Sequence, residues 1–168
     1  CNLRARPVTP ALASSLARAG CWMVHLGIES LSDRVLRGIR KGVTAANTWA
    51  ACEVLAAEGV EVFGFFMMYQ AWERDGRLEH ETPEEVDATL RGMARMWRAG
   101  LLRGASWSFA TPYPGSALHR VAVEHELLPD ALRDRPARSI HTLNLRLPGV
   151  GRRRMARSRA AGMALQGL

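Results

Sequence analysis

GCWMVHLGIESLSDRVLRGIRKGVT, residues 20–44, is the stretch whose reading decides the fold. Its first half carries Trp22, Met23, Val24, Leu26 and Ile28 and ends on Glu29 and Ser30. A near-continuous apolar run of this length reads as a strand covered on both faces. Ser32 stands where a helix N-cap is expected, Val35, Leu36 and Ile39 follow at helical spacing, and Gly42 breaks that segment before Thr44 opens another. An acid at the tip of a buried strand needs a reason. In parallel sheets the reason is usually a ligand, because strand ends and the loops after them are where such sheets bind small molecules.

The same grammar repeats on both sides. Upstream, Thr9-Pro10 starts a helix with Leu12 and Leu16 on one face and Gly20 as its stop, after a short segment, Cys1–Arg6, that reads as a first strand. Downstream, Thr44 opens a helix to about Glu58 with Trp49, Cys52 and Leu55 inward. Val60–Met68 (VEVFGFFMM) is the strongest strand of the chain, with Gly64 at a point of close approach. Tyr69–Glu81 reads as a polar loop with an Asp75-Gly76 turn, and Thr82 to Glu85 as a capping box opening a helix with Val86, Leu90, Met93 and Trp97 on one face. Ala105–Ala110 reads as a fourth strand, running into Thr111-Pro112-Tyr113-Pro114-Gly115 and a helix over Leu118–Glu126. After Leu128 the pattern is weaker: an extended piece over Ser139–Leu147 and a helix over Arg152–Leu165. His25, alone inside an apolar run, is expected to be a hydrogen-bonded core residue.

Strands alternating with helices at this spacing imply right-handed βαβ crossovers and a parallel sheet, hence an α/β fold: a partial, TIM-like βα barrel of about four βα units followed by a basic helical tail. Four units are about half of an eight-fold barrel. The division expected is 1–128 for the barrel part and 129–168 for the basic extension. Composition agrees with a globular chain, 168 residues at 48% hydrophobic and 23% charged. The chain begins on Cys1 rather than Met and opens inside a strand, so a fragment of a larger protein is expected.

Net charge is +7, from 23 basic residues against 16 acids, and the excess lies late, from Arg133, Arg135 and Arg138 to Arg152–Arg159. Such a tail suits nucleic acid or an acidic partner, but no aromatic residue is interleaved with its arginines for base stacking, so nucleic acid is the less favoured partner. Three cysteines, Cys1, Cys21 and Cys52, with no C-x-x-C pair, argue against a disulfide scaffold or zinc knuckle and for a reducing, cytoplasmic compartment. No apolar run reaches the roughly 20 residues needed to span a membrane. There is no G-x-G-x-x-G after a strand and no Walker sequence.

In a parallel layout the residues just past the strands share one rim: Arg4 or Arg6, then Glu29 and Ser30, Gln70, and Thr111–Gly115. Glu29 can accept from two ribose hydroxyls or from an ammonium, or it can pair with Arg34 or cap the following short helix. Lys41 is the only lysine among the 23 basic residues, which suits a site needing a compact point charge, such as one meeting a carboxylate. Pro112, Tyr113 and Pro114 make a stiff wall for a planar ring, or simply a rigid turn.

The ordered set CNLRAR, AGCWMVHLGIES, VLRGIRKGVT, GVEVFGFFMM, TPEEVDATL and SFATPYPGSALH resembles the second half of the radical S-adenosylmethionine enzymes, in particular the branch of Fe-S oxidoreductases of the cobalamin-binding type. The resemblance covers Cys1 to about Leu128. It implies a six-stranded partial βα barrel that binds S-adenosylmethionine across its rim and a 4Fe-4S cluster at one end, with radical chemistry begun by reductive cleavage of the sulfonium. By position it implies that Glu29 contacts the ribose or amino group, with Ser30 beside it, that Lys41 lies near the methionyl carboxylate, that Arg4 follows the preceding strand, and that Pro112, Tyr113 and Pro114 flank the adenine. It also implies cobalamin as a further cofactor of some full-length parents, and an unknown small-molecule substrate.

Two departures stand out. The C-x-x-x-C-x-x-C cluster loop is absent, so the cluster ligands are expected upstream in the same protein or on a partner, and the chain alone is expected to be inactive. After FFMM the family continues with Gly-Leu-Pro-Gly-Glu-Thr, whereas this chain has YQAWERDGRLEHET, a longer rim loop with Trp72, Glu73 and Asp75. Two other functions fit the residues alone: a basic nucleic-acid-binding module without catalysis, and a degenerate barrel half kept as a structural element.

Overall fold

Val24, Leu26 and Ile28 alternate along β2 (Met23–Glu29) with His25, Gly27 and Glu29, and only the first set is sealed from solvent. The same two-sidedness runs through β3 (Glu61–Met68), where Val62, Phe66 and Met68 are buried and Phe65 is 40% exposed, and through β6 (Gly104–Phe109), where Ala105, Trp107 and Phe109 are buried. With β1 (Asn2–Leu3) these strands form a parallel sheet in the order β1-β2-β3-β6. In this computed structural model, which describes residues 1–6, 8–133, 140–142 and 144–166, the architecture is the expected α/β one, a partial βα barrel. Helices cover one face: α3 (Ala45–Ala57) packs on β3 with α1 (Pro10–Arg18) beside it, and α7 (Arg152–Gln166) packs on β6 with α4 (Pro83–Arg98) beside it.

Two expectations are corrected here. The stretch after Gly20 is not covered on both faces: Trp22 is exposed ahead of the strand, and the apolar side chains within it serve one face only. His25 is therefore not a core residue. It lies on the open face, its ring 5.4 Å from that of Phe63 and 5.5 Å from that of Phe65.

Helix starts follow the local chemistry closely, because a cap depends on neighbours in sequence alone. Thr9, Ser32, Thr44, Thr82 and Ser116 each accept from the backbone N–H three residues on, opening α1, α2 (Asp33–Gly38), α3, α4 and α5 (Ala117–Glu124). Thr82 and Glu85 make the expected capping box, and Thr44 and Asn47 make another. On α1 the buried residue is Ala13 rather than Leu12, which stays exposed. Pro7 lies outside the described residues, as do Arg135, Arg138, Ser139 and Leu143; Asn144–Leu147 has no regular structure.

The polar loop expected over Tyr69–Glu81 is instead a β-hairpin, β4 (Ala71–Arg74) paired antiparallel with β5 (Arg77–His80). Asp75 (φ 51°) and Gly76 (φ 73°) are both left-handed, the pattern of a two-residue type I′ turn whose twist matches that of its strands. The hairpin leaves Gln70 and returns at Glu81, whose N–H donates to the Gln70 carbonyl at 2.8 Å.

Arg34 anchors it. The guanidinium lies over the Trp72 ring at 5.0 Å, meets Glu79 of β5 at 3.2 Å, and grips Glu85 with Nε at 3.0 Å and Nη2 at 2.6 Å. Burial pushes the Glu85 carboxyl up, but hydrogen bonds from Arg34, the Thr82 N–H and Ser32 outweigh it and hold the group down at about 2. A carboxyl held below its unfolded value contributes stability that is complete above about 4.5 and is lost as pH falls toward 2. Glu85→Gln is expected to flatten the acid limb of stability, measured by urea unfolding between about pH 5 and 2.5.

The basic tail is tied to the barrel part. Ser158 of α7 shares a 2.7 Å hydrogen bond with the Tyr69 hydroxyl, Arg154 pairs with Asp87 of α4, and Gly162 seats against the Trp107 indole. A short α6 (Asp130–Arg133) precedes it.

Candidate functional site

At the tip of β2 the ladder to β3 slips between Gly27 and Glu29. The Ser30 N–H reaches back to the Ile28 carbonyl at 2.9 Å, closing a three-residue turn around Glu29, whose φ is 66°. A γ-turn with a non-glycine residue at positive φ is rare, and strain of this kind costs on the order of 1–3 kcal/mol. The bulge re-aims the carboxylate. Glu29 Oε1 lies 2.8 Å from Lys41 Nζ, both side chains about four-fifths covered, at 22% and 18% exposure.

Gly27 makes this pair possible. A β-carbon there would sit 3.0 Å from Lys41 Nζ and 3.2 Å from Glu29 Oε1, so the pair lies directly over the bare backbone of β2 on the open face of the sheet. The alternative of a Glu29–Arg34 pair is not what forms, since Arg34 is spent on Glu79 and Glu85. Gly27→Ala is expected to leave the urea midpoint nearly unchanged, because the crowding atoms are flexible chain ends, while displacing the Lys41 ammonium; the Lys41 side-chain NMR resonances would report this.

Ser30, expected on the rim, has no exposed surface. Its hydroxyl donates to Glu81 Oε1 at 3.1 Å and shares a second bond with Thr89 at 3.1 Å. Glu81 is the residue that sequence reasoning missed. It too is fully buried, and its Oε2 accepts from the Tyr69 N–H at 2.7 Å, where Tyr69 takes a φ of 60°. One carboxyl thus ties together the tips of β2 and β3, both left-handed. In sequence it is one acid in the run Glu79–Glu85, which reads as solvated.

The remaining rim residues are more dispersed. Gln70 is buried at the root of the hairpin, and Arg4 is exposed beyond β1. Past β6, Pro112 is buried and Tyr113 is 48% exposed. The Tyr113 N–H bonds to the Thr111 carbonyl at 3.0 Å, and Thr111 is braced by Asn144 at 2.9 Å. Glu29 and Lys41 are brought together; Tyr113 and Pro114 stand on the same strand-end rim, after β6, which is two strands from β2.

The pair can hold a zwitterion. A ligand carrying both an ammonium and a carboxylate would exchange the internal bridge for one bond to Glu29 and one to Lys41, with no uncompensated charge left behind. Among the described residues no group of three or more His, Cys, Asp or Glu side chains could hold a metal ion. Cys1 and Cys21 lie 3.9 Å apart at the opposite, starting ends of β1 and β2, and Cys52 is buried in α3. Among the described residues no helix is long and apolar enough to cross a membrane.

The fold is a partial, TIM-like βα barrel of the kind found in radical S-adenosylmethionine enzymes. Coproporphyrinogen III oxidase (HemN) of Escherichia coli, a radical SAM enzyme, superposes with a TM-score of 0.58 at 14% identity, over 97% of this chain and 29% of its own. The archaeal Elp3 of Methanocaldococcus infernus gives a TM-score of 0.62 at 15% identity, over 76% of this chain and 28% of its own. TsrM of Kitasatospora setae, a radical SAM methyltransferase solved with cobalamin and a 4Fe-4S cluster, gives 0.51 at 20% identity, over 64% of this chain and 19% of its own. In sequence, an uncharacterized methyltransferase of Pyrococcus horikoshii is 32% identical over 117 residues, 70% of this chain. The chain spans 23% of that relative's length. No family model matches.

Proposed function

We propose that the chain is the C-terminal part of a radical S-adenosylmethionine enzyme core and binds S-adenosylmethionine on its rim. The observation that carries this is the Lys41–Glu29 pair lying across Gly27 at 2.8 Å, an acid and an ammonium set side by side to receive an amino acid zwitterion. Lys41 would hold the methionyl carboxylate and Glu29 the ammonium or the ribose hydroxyls. Tyr113, between Pro112 and Pro114, would flank the adenine, and Arg4 would border the site beyond β1. Held there, S-adenosylmethionine would supply a sulfonium able to accept one electron and so open radical chemistry. The chain's own part is to bind and orient: the Glu81–Ser30–Tyr69 network ties the tips of β2 and β3 together and so fixes the backbone that carries Glu29.

The 4Fe-4S cluster has no ligand set among the described residues, and we assign its cysteines to an upstream segment of the same protein or to a partner. Methyl transfer is the reaction class favoured, because both the Pyrococcus relative and TsrM are described as methyltransferases. Cobalamin would then belong to another part of the parent.

S-adenosylmethionine is expected to bind the chain measurably by calorimetry, with Glu29→Gln and Lys41→Ala each weakening it at least about tenfold, the loss of one charge-assisted contact. Unchanged affinity in both variants removes the assignment. The catalytic half of the proposal is tested on a longer protein extended upstream, loaded anaerobically with iron and sulfide: reductant should release 5′-deoxyadenosine, and a cluster-loaded protein that releases none argues against radical chemistry.

A further inference from the structure

The segment after β2 carries four cations within eight positions, Arg34, Arg37, Arg40 and Lys41, and the structure treats them unequally. Arg34 is neutralised by Glu79 and Glu85, and Lys41 by Glu29. Arg37 and Arg40 have no partner among the described residues. Both line one cavity of about 410 Å³, open to solvent, and Arg6 comes to it from the connection between β1 and α1, likewise unpaired. No acid among the described residues lines this cavity, and the nearby Asp33 turns its Oδ1 to the Ala45 N–H at 2.8 Å.

The uncharged walls point the same way. The Asn47 oxygen accepts from the Thr44 N–H at 3.0 Å and the Thr44 hydroxyl oxygen accepts from the Asn47 N–H at 3.1 Å, so the amide NH₂ and the hydroxyl hydrogen remain as donors. Leu36 and Val43, both buried, form the floor. Three arginines and a set of donors lining one cavity with an apolar floor complement an oxyanion attached to an organic group. Guanidinium forks match the geometry of phosphate oxygens, and a volume of several hundred cubic ångströms admits more than the anion itself.

We propose that this cavity is a phosphate-ester site, holding a phosphate of either a phosphorylated small molecule or a polynucleotide backbone. It does not depend on what Glu29 and Lys41 bind. Arg40 also supplies a clean test, because its φ of 55° is a backbone shape that glycine adopts without strain, so Arg40→Gly removes the charge while easing the chain.

Phenyl phosphate titrated into the chain at low salt should bind saturably, more tightly than inorganic phosphate because of the floor, and more weakly as salt rises. Arg37→Ala with Arg40→Gly should weaken it at least tenfold while the urea midpoint holds or rises and S-adenosylmethionine affinity is unchanged. Replacing Arg152, Arg153, Arg157 and Arg159 of α7 by Gln should leave it unaltered. A short single-stranded RNA that displaces phenyl phosphate identifies the ligand as a polynucleotide backbone; one that does not identifies a small phosphorylated molecule. No saturable binding at millimolar probe overturns the proposal, as does affinity that survives the Arg37 and Arg40 changes or falls with the α7 changes.

Discussion

Gly38→Ala is expected to destabilise the protein by about 2–3 kcal/mol, although alanine in a helix ordinarily gains about 0.5–1 kcal/mol over glycine. A β-carbon at Gly38 would lie 2.1 Å from a ring carbon of Trp72. The indole cannot swing away cheaply: it is 5% exposed, and Arg34 lies over its ring. Displacing it would also break the Arg34 bridges to Glu79 and Glu85. The measurement is urea unfolding of Gly38→Ala alone and in a Trp72→Leu background. In the second the substitution should cost at least about 1 kcal/mol less, since residues in contact couple by that order. A neutral Gly38→Ala would mean that the hairpin is not seated on α2.

The second large effect is at Glu81. Replacement by Leu leaves the Tyr69 N–H and the Ser30 hydroxyl facing an apolar side chain in the sealed interior, and two such losses amount to about 3 kcal/mol or more. Burial pushes this carboxyl up to about 8, against the pull of the Gln70 and Tyr69 N–H groups and the Ser30 hydroxyl. Its unfolded value is 4.5, so between there and about 8 the folded protein keeps a proton that the unfolded chain has released. Stability from this group is therefore full below about 4.5, declines as pH rises to about 8, and is level above. Glu81→Gln, which keeps an acceptor for Tyr69, should abolish that decline and overtake the parent above about pH 8. Thermal unfolding at about pH 5 and 9 separates the two variants. A parent whose stability does not fall over that interval would mean the buried carboxyl stays ionised.

What could be read from sequence was what depends on near neighbours. The helix starts at Thr9, Ser32, Thr44 and Thr82 are set by a hydroxyl and the N–H three residues on, and the three long strands declare themselves through Val, Ile, Phe and Trp. Glu29 and Lys41 were legible as a candidate pair because one ends a strand and the other is the lone lysine. The hairpin was not: Ala-Trp-Glu-Arg and Arg-Leu-Glu-His are too short and too charged to look like strands, and they exist because Trp72 finds a notch at Gly38 and an overlying guanidinium, all distant in sequence. Glu81 was hidden for a related reason, since it is buried against Ser30, which stands at the tip of β2 and 51 residues earlier in the chain. His25 was misplaced because a run of apolar letters does not reveal which face of the strand is sealed from solvent.

That one-sided cover changes how the chain will behave at the bench. His25, Phe63 and Phe65 tile a sheet surface, with Phe65 40% exposed, while the opposite face is tightly interlocked. Dyes such as anilinonaphthalene sulfonate, whose brightening is ordinarily taken to mark a loosened, molten interior, should light up on the fully native chain. Near-ultraviolet dichroism from the sealed Trp72 and Trp107 should stay sharp in the same sample.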